Sequence, residues 1–425
     1  MGGAVCFAAD DGFNGRELWI STGSGFFETA MVKDINPGPG DSSPANFVSA
    51  GGRVFFTADD GMNGIELWSS DGTETGTHML KDIHFGPGSS HPSELVAVGG
   101  TVFFKANAGT GGYGLWKSDG TPGGTTLLAT LDTNAYPLYP GVAGNRLYFS
   151  GYDPARGYEL WRSDGTVAGT TLVKDINPGS GSSYPYEIRA AGDLIYFSAN
   201  DGAHGGELWK SDGTADGTVL VKDARPGSGD SIIAWMTVSG GKVFYDAYSS
   251  TAGRELWTSD GTAAGTVMVK DIEPGDSSSN VQSITAAGGG TVYFTASDGV
   301  AGWELWKSDG TSGGTVMVKD IWPGKATSQP ANLVMVEGIL HFTANDGIHG
   351  EELWKSDGTA GGTVMVAEHG RRQWRSLALA DETGARHLVF LRHYRGARHG
   401  TLEAGVSGYQ SNRAGVEYGQ SQPGF

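Results

Sequence analysis

A Leu-Trp pair recurs along this chain at a nearly constant spacing. The repeated tryptophans are Trp19, Trp68, Trp116, Trp161, Trp209, Trp257, Trp306 and Trp354. The distances between them are 49, 48, 45, 48, 48, 49 and 48 residues. A fixed period of this length is typical of repeat architectures, in which each unit is one supersecondary element that packs on its neighbours.

Each unit is predicted to contain four short antiparallel strands. In residues 46–86, stretches rich in β-branched and aromatic residues alternate with turns such as Gly51-Gly52 and Asp71-Gly72. Four strands of ordinary length, together with their turns, fill a period of this size. Because four-stranded blades repeated radially form a propeller, the sequence predicts an all-β fold, a β-propeller with eight four-stranded antiparallel blades.

The motif Glu-Leu-Trp-x-Ser-Asp-Gly-Thr recurs with the same period. Unit three departs from it with Gly114 in place of Glu, and unit one departs after Trp19. The unbroken copies are Glu66–Thr73, Glu159–Thr166, Glu207–Thr214, Glu255–Thr262, Glu304–Thr311 and Glu352–Thr359. Residues 1–366 thereby resemble the ELWxxDGT-repeat proteins. The resemblance implies a propeller-like fold in an exported bacterial protein, and it implies no particular chemistry.

The two ends of the chain suggest how the ring is closed. The chain opens with the second strand of a blade, Ala4–Ala8, and lacks the first. The segment Trp374–Ala380 is predicted to pair beside it and to close the propeller with a C-terminal strand. We expect residues 1–384 to form the propeller, and residues 385–425 to be a degenerate ninth repeat or a C-terminal tail. A chain that starts inside a repeat also suggests a fragment or a missing leader.

The charge of the chain restricts its partners. The net charge is −18; the last 57 residues carry +4 and the repeats before them −22. An acidic repeat body argues against nucleic acid and anionic membranes as partners. The single cysteine, Cys6, excludes a disulfide framework, and no apolar run is long enough for a membrane span. We expect a secreted or cell-surface protein that is a monomer.

Most repeated residues are predicted to have structural roles. Large aromatics at one strand position suit packing between blades, and Asp-Gly-Thr suits a capped turn. The aspartates after the second strand cap turns in one interpretation and bind calcium in another, which makes calcium the candidate cofactor. These aspartates are Asp11, Asp60, Asp201, Asp298 and Asp346. A glycine-rich stretch at residues 109–114 lacks the helix that a dinucleotide site needs, and no catalytic motif occurs.

Tyrosines are unevenly distributed. Eight of the 15 lie between residues 113 and 186, where the repeat is least regular. Seven fall at or beside connections that emerge on one face of a propeller, and they are the predicted ligand-binding residues because tyrosine offers a large amphipathic surface. They are Tyr113, Tyr136, Tyr139, Tyr152, Tyr158, Tyr184 and Tyr186. The alternative is that these rings pack on neighbouring prolines and cover the loops.

Three functions are consistent with these patterns. The first is a non-enzymatic exported propeller that binds a glycan or a protein on one loop face, and this is the function that we predict. The second is a sialidase-like or lyase-like enzyme that uses carboxylates at the rim. The third is a structural module of a larger surface protein. The absence of a catalytic motif favours the first and third.

Overall fold

The computed structural model describes residues 4–22, 29–109, 112–131 and 138–367, and three further strands by their backbone. All regular secondary structure in this part of the chain is β-structure, arranged in nine antiparallel sheets. None of the described segments is a helix that could cross a membrane. The sheets that carry the Leu-Trp repeats are called blades one to eight.

The first four blades follow one another along the chain. Blade one contains β1 (Val5–Asp10), β2 (Arg16–Ser21) and β3 (Thr29–Lys33). Blade two contains β4 (Ala45–Ala50), β5 (Arg53–Asp59), β6 (Ile65–Ser70) and β7 (His78–Lys81). Blade three contains β8 (Ser93–Val98), β9 (Thr101–Asn107), β10 (Tyr113–Ser118) and β11 (Thr126–Thr130). Blade four contains β12 (Gly141–Ala143), β13 (Arg146–Asp153), β14 (Gly157–Ser163) and β15 (Thr171–Lys174).

The remaining sheets continue the same order. Blade five contains β16 (Tyr186–Ala191), β17 (Leu194–Asn200), β18 (Gly206–Ser211) and β19 (Val219–Lys222). Blade six contains β20 (Ala234–Ser239), β21 (Lys242–Ser249), β22 (Gly253–Ser259) and β23 (Val267–Lys270). Blade seven contains β24 (Gln282–Gly288), β25 (Thr291–Ser297), β26 (Trp303–Ser308) and β27 (Val316–Lys319). Blade eight contains β28 (Ala331–Val336), β29 (Ile339–Asn345), β30 (Glu351–Ser356) and β31 (Val364–Ala367). A ninth sheet contains β32 (Trp374–Ala380), β33 (Arg386–Arg392) and β34 (Glu403–Ser407).

Successive blades pack on one another through their apolar faces. The first strand of one blade contacts the first strand of the next at several junctions, for example β16 with β20 and β20 with β24. One core cluster joins Phe244 and Leu256 of blade six to Phe294 and Trp306 of blade seven. The predicted packing role of the repeated tryptophan is confirmed, since six of the eight indoles are buried. The prediction of an all-β chain of repeated four-stranded antiparallel units is also confirmed.

In six blades, a lysine at the end of the last strand donates a hydrogen bond to the next blade. Lys222 Nζ donates a 2.7 Å hydrogen bond to the carbonyl of Thr266 in the following blade and lies 6.0 Å from the centre of the Trp257 ring. Equivalent lysine-to-carbonyl bonds are made by Lys33, Lys81, Lys174, Lys270 and Lys319. In blade three this position is Ala129, which has no amino group, so the junction between blades three and four lacks this bond.

The predicted closure is not found. Trp374–Ala380 pairs with Arg386–Arg392 in the ninth sheet, whereas β1 pairs with β2. Blade one has three strands in the described part of the chain, so seven blades and not eight have four strands. The division between residues 384 and 385 falls between the paired strands β32 and β33, and it stays a prediction.

Candidate functional site

The face that carries the connections from second to third strand and from fourth to first strand is called the loop face. On this side, the motif glutamates are buried, and those of blades one, two and four to seven accept hydrogen bonds from the next loop. Glu255 accepts hydrogen bonds from the backbone N–H of Ile272 at 3.0 Å, the N–H of Ser279 at 3.1 Å and the Ser279 hydroxyl at 2.8 Å. Burial raises the pKa of Glu255 to about 7, against the lowering effect of these donors. We call this arrangement the glutamate–serine clamp.

The clamp is repeated in five further blades. Its two residues are paired as Glu17 with Ser42, Glu66 with Ser90, Glu159 with Ser183, Glu207 with Ser231 and Glu304 with Ser328. Unit three lacks both members, because Gly114 replaces the glutamate and Leu138 the serine. There, the side chain of Glu94 accepts the Leu138 N–H at 2.8 Å instead. Loop position is therefore maintained in every described junction.

The residue that follows each clamp serine, or Leu138, has a left-handed backbone conformation although it is not glycine. The φ angles of these residues lie between 46° and 50°, and every side chain is exposed. Such conformations cost about 1–3 kcal/mol each, so the surrounding loop must enforce them. We call them display positions, and they are Ser43, His91, Tyr139, Tyr184, Ile232, Asn280 and Gln329. The backbone conformation at the display positions is therefore the same at each of these junctions, whereas the exposed side chain differs.

The display side chains are large and apolar only in blades four to six. Tyr139, Tyr184 and Ile232 are 38%, 45% and 46% exposed, and Trp235, three residues after Ile232, is 46% exposed. Exposed apolar side chains concentrated on one face of a protein commonly mark a binding site. The sequence analysis identified the two tyrosines but missed Ile232 and Trp235. Alignment of the repeats on the clamp serine would have shown them.

Three of the predicted tyrosines form one cluster. The ring centres of Tyr152 and Tyr158 are 5.0 Å apart, and those of Tyr158 and Tyr184 are 5.5 Å apart. The backbone carbonyl of Tyr158 accepts the N–H groups of Ser183 and Tyr184, which ties the display position to β14. We call these three residues the tyrosine cluster.

The other predicted tyrosines lie nearby or apart. The ring centres of Tyr139 and Tyr186 are 6.1 Å apart, which brings together the loops before blades four and five. Burial raises the pKa of Tyr186, and the carboxylates of Asp230 and Glu187 add to this effect. Tyr113 instead packs in blade three, with Lys105 Nζ 4.8 Å from its ring centre. Tyr136 lies outside the described residues. The structure therefore groups five of the seven tyrosines into a cluster and a pair.

The candidate calcium ligands lie in separate turns of separate blades. Asp60 Oδ1 accepts the N–H groups of Met62 and Asn63 at 2.9 and 2.8 Å, and Asp11 does the same in blade one. Backbone hydrogen bonds from Asn14 and Phe13 lower the pKa of Asp11. Asp201, Asp298 and Asp346 cap their turns in the same way. Among the described residues, no three His, Cys, Asp or Glu side chains form a metal-binding group. The geometry does not fit calcium, whose binding stays a prediction.

The opposite face holds a cavity. Its volume is about 470 Å³, and Arg146, Asp164, Asp193 and Asp212 are among the residues that line it. Asp164 and Asp212 belong to Asp-Gly-Thr turns, where each accepts hydrogen bonds from the threonine two residues later. These carboxylates are engaged in their own turns, as predicted, so the cavity has few groups left for a ligand.

Three comparisons with known proteins were made. No protein-family model matches the chain, and no curated protein does. A prolyl endopeptidase structure has 14% identity and a TM-score of 0.47, and the match covers 83% of this chain and 54% of that one. Puromycin hydrolase has 14% identity and a TM-score of 0.40, with 82% and 58% covered. A puromycin hydrolase mutant in complex with PGG has 14% identity and a TM-score of 0.42, with 82% and 58% covered.

These comparisons correct the predicted function. The chain spans little more than half of each matched structure, and identity at this level concerns the fold alone. The matched chains nevertheless belong to enzymes. They run against the predicted non-enzymatic binding scaffold, which is not retained, and they assign no activity to this chain.

Proposed function

We propose that the loop face of blades four to six is a substrate-recognition surface for an extended, proline-containing peptide. The observation that carries this proposal is the tyrosine cluster, in which three rings lie side by side at 5.0 and 5.5 Å. Extended proline-rich segments dock on surfaces lined by aromatic side chains. They lose little conformational entropy on binding, because the polyproline II helix is already formed before they bind. Tyr139, Ile232 and Trp235 are also exposed, at or just before the first strands of blades four and six.

The rigidity of the face supports the same proposal. Ser183 and Ser231, which precede Tyr184 and Ile232, are fixed by buried glutamates through hydrogen bonds of 2.6 Å. Side chains held on a rigid frame lose little conformational entropy when a ligand binds. The left-handed backbone at Tyr184 and Ile232 is strained, and the surrounding loop maintains this strain so that both side chains point towards a ligand.

We further propose that the chain is an exported ELWxxDGT-repeat protein whose blades complete a ring. The main residues of the motif have recurrent roles: glutamate forms the clamp in six blades, leucine and tryptophan pack in the core, and Asp-Gly-Thr caps the turn. In that turn, Asp260 Oδ1 accepts both the N–H and the hydroxyl of Thr262, at 2.8 and 2.7 Å. A small-angle scattering profile of the full chain distinguishes a closed ring from an open arc.

Replacing Tyr184 by alanine is expected to weaken binding of a decaproline peptide about tenfold. The substitution removes an exposed ring that stacks on Tyr158, and loss of one aromatic anchor commonly costs more than 1 kcal/mol. Isothermal titration calorimetry measures the change. Phe85→Ala is the matched control, because Phe85 is 90% exposed and lies in the corresponding connection of blade two, outside the cluster.

Equal loss of affinity in both variants would show that binding is not localised to the tyrosine cluster. No binding of decaproline by the unmodified chain would reject the proposed ligand. Mass spectrometry of the peptide after incubation reports whether it is cleaved, and cleavage products would show that this chain is itself an enzyme.

A further inference from the structure

One strand position departs from the repeat in blade six. In blades two, seven and eight it is a threonine whose hydroxyl bonds to a carbonyl of the first strand; Thr57 to Ala45, at 3.2 Å, is an example. In blade six the same position is Asp246, paired with Ala234 of β20. In blade six, a carboxylate therefore replaces a threonine hydroxyl that donates a hydrogen bond to the adjacent strand in blades two, seven and eight.

Asp246 is buried and forms an ion pair with Arg254. Its side chain is 2% exposed, and Arg254 Nε and Nη2 both donate to Oδ2. The other oxygen, Oδ1, is buried and has no hydrogen-bond partner among the residues that the structure describes. Burial raises the pKa of Asp246 to about 6, and the charge of Arg254 counteracts this. Burial of the Asp246–Arg254 ion pair carries a desolvation penalty. A neutral threonine at this position, as in blades two, seven and eight, has no such penalty.

Arg254 remains accessible while Asp246 holds it in place. Its side chain is 23% exposed, and within the described residues its Nη1 group donates to no protein atom. Arg254 lies opposite Tyr248 in the pairing of β21 with β22. A fixed guanidinium next to an aromatic residue is suited to a carboxylate attached to an apolar group.

We propose that Arg254 binds a carboxylate group of the ligand and that Asp246 is the residue that positions it. The inference rests on the proposed function only in taking the loop face as the recognition surface. It adds a specificity: ligands with an apolar or aromatic group next to a carboxylate are preferred over the corresponding amides. Asp246 itself does not touch the ligand, because its oxygen atoms lie below the surface.

Phenylacetate and phenylacetamide test this site without a peptide. They share one ring and differ in charge, so an NMR titration that follows the Arg254 guanidinium and the Tyr248 ring compares the two directly. We expect phenylacetate to bind the unmodified chain about tenfold more tightly than phenylacetamide. The reason is that its carboxylate can form a charge-assisted bidentate contact with Arg254, which the neutral amide cannot. Equal affinities for the two compounds, or no shifts with either, would overturn the proposal.

Two variants separate positioning from packing. Asp246→Thr restores the residue of blade two and leaves Arg254 without its partner, and we expect most of the preference for phenylacetate to be lost. Asp246→Thr with Arg254→Ile copies both blade-two residues, Thr57 and Ile65; we expect no preference and a melting temperature at or above that of the unmodified chain. A lower melting temperature in the double variant, or a preference that survives either change, would show that the pair is structural. Decaproline binding is measured separately, so failure of the peptide proposal and failure of this one are distinguished.

Discussion

Replacing Trp209 by alanine is expected to lower the free energy of unfolding by about 3–5 kcal/mol, as large aromatic truncations in cores do. The indole is 6% exposed and belongs to a cluster that joins blades four and five and includes Tyr148, Ile195 and Phe197. Its removal leaves a cavity between two faces that cannot collapse without moving both blades. Urea denaturation measures the loss.

Trp235→Ala is the control for this substitution. The residue type is the same, but Trp235 is 46% exposed on the loop face. A surface substitution away from the core changes stability by about 0.5 kcal/mol or less. If Trp209→Ala were as mild as Trp235→Ala, packing between blades would not depend on the repeated tryptophan.

Glu255→Gln is expected to lower the free energy of unfolding at pH 7 by about 1–3 kcal/mol, as leaving a buried donor unpaired does. The two carboxylate oxygens of Glu255 accept the backbone N–H groups of Ile272 and Ser279. In either orientation of a glutamine, the amide nitrogen faces one of these N–H groups and cannot accept from it. Glu74→Gln, in an exposed turn, is the matched control and should be neutral.

The same variant changes the dependence of stability on pH. Burial raises the pKa of Glu255 from 4.5 to about 7 in the folded chain. Between these values the folded state binds more protons than the unfolded state, so the free energy of unfolding falls as pH rises. Glu255→Gln removes one such group and should make the profile flatter from pH 4.5 to 7. An unchanged slope would show that the clamp glutamate does not titrate in this range.

The blades were predictable because their signals are local. Alternation of apolar residues, Gly-Gly turns and Asp-Gly-Thr turns each act within one unit, and β4 to β7 match the predicted strands of residues 46–86 closely. The closure was not predictable in this way. Whether Trp374–Ala380 pairs with β1 or β33 depends on a competition between a distant strand and an adjacent one. The hairpin partner is nearer in sequence and costs less loop entropy.

The candidate site was predictable only in part. The excess of tyrosines between residues 113 and 186 marked the region in which the rings of Tyr152, Tyr158 and Tyr184 cluster. The motif glutamate gave no sign of its role, because its partner serine lies 24 residues later and the two meet only when the blade folds. Asp246 was missed for a different reason. Only its comparison with the threonines of other blades shows that a buried charge has replaced a neutral residue.

Hydrogen–deuterium exchange in the presence of decaproline tests the central claim most directly. The claim is that the clamped loops of blades four to six form the recognition surface. The account predicts slower exchange at residues 138–140, 183–187 and 231–236 when the peptide is bound, with no change in the equivalent loop at residues 42–46. Protection around Arg146 and Asp212 on the opposite face, or equal protection in all blades, would contradict it.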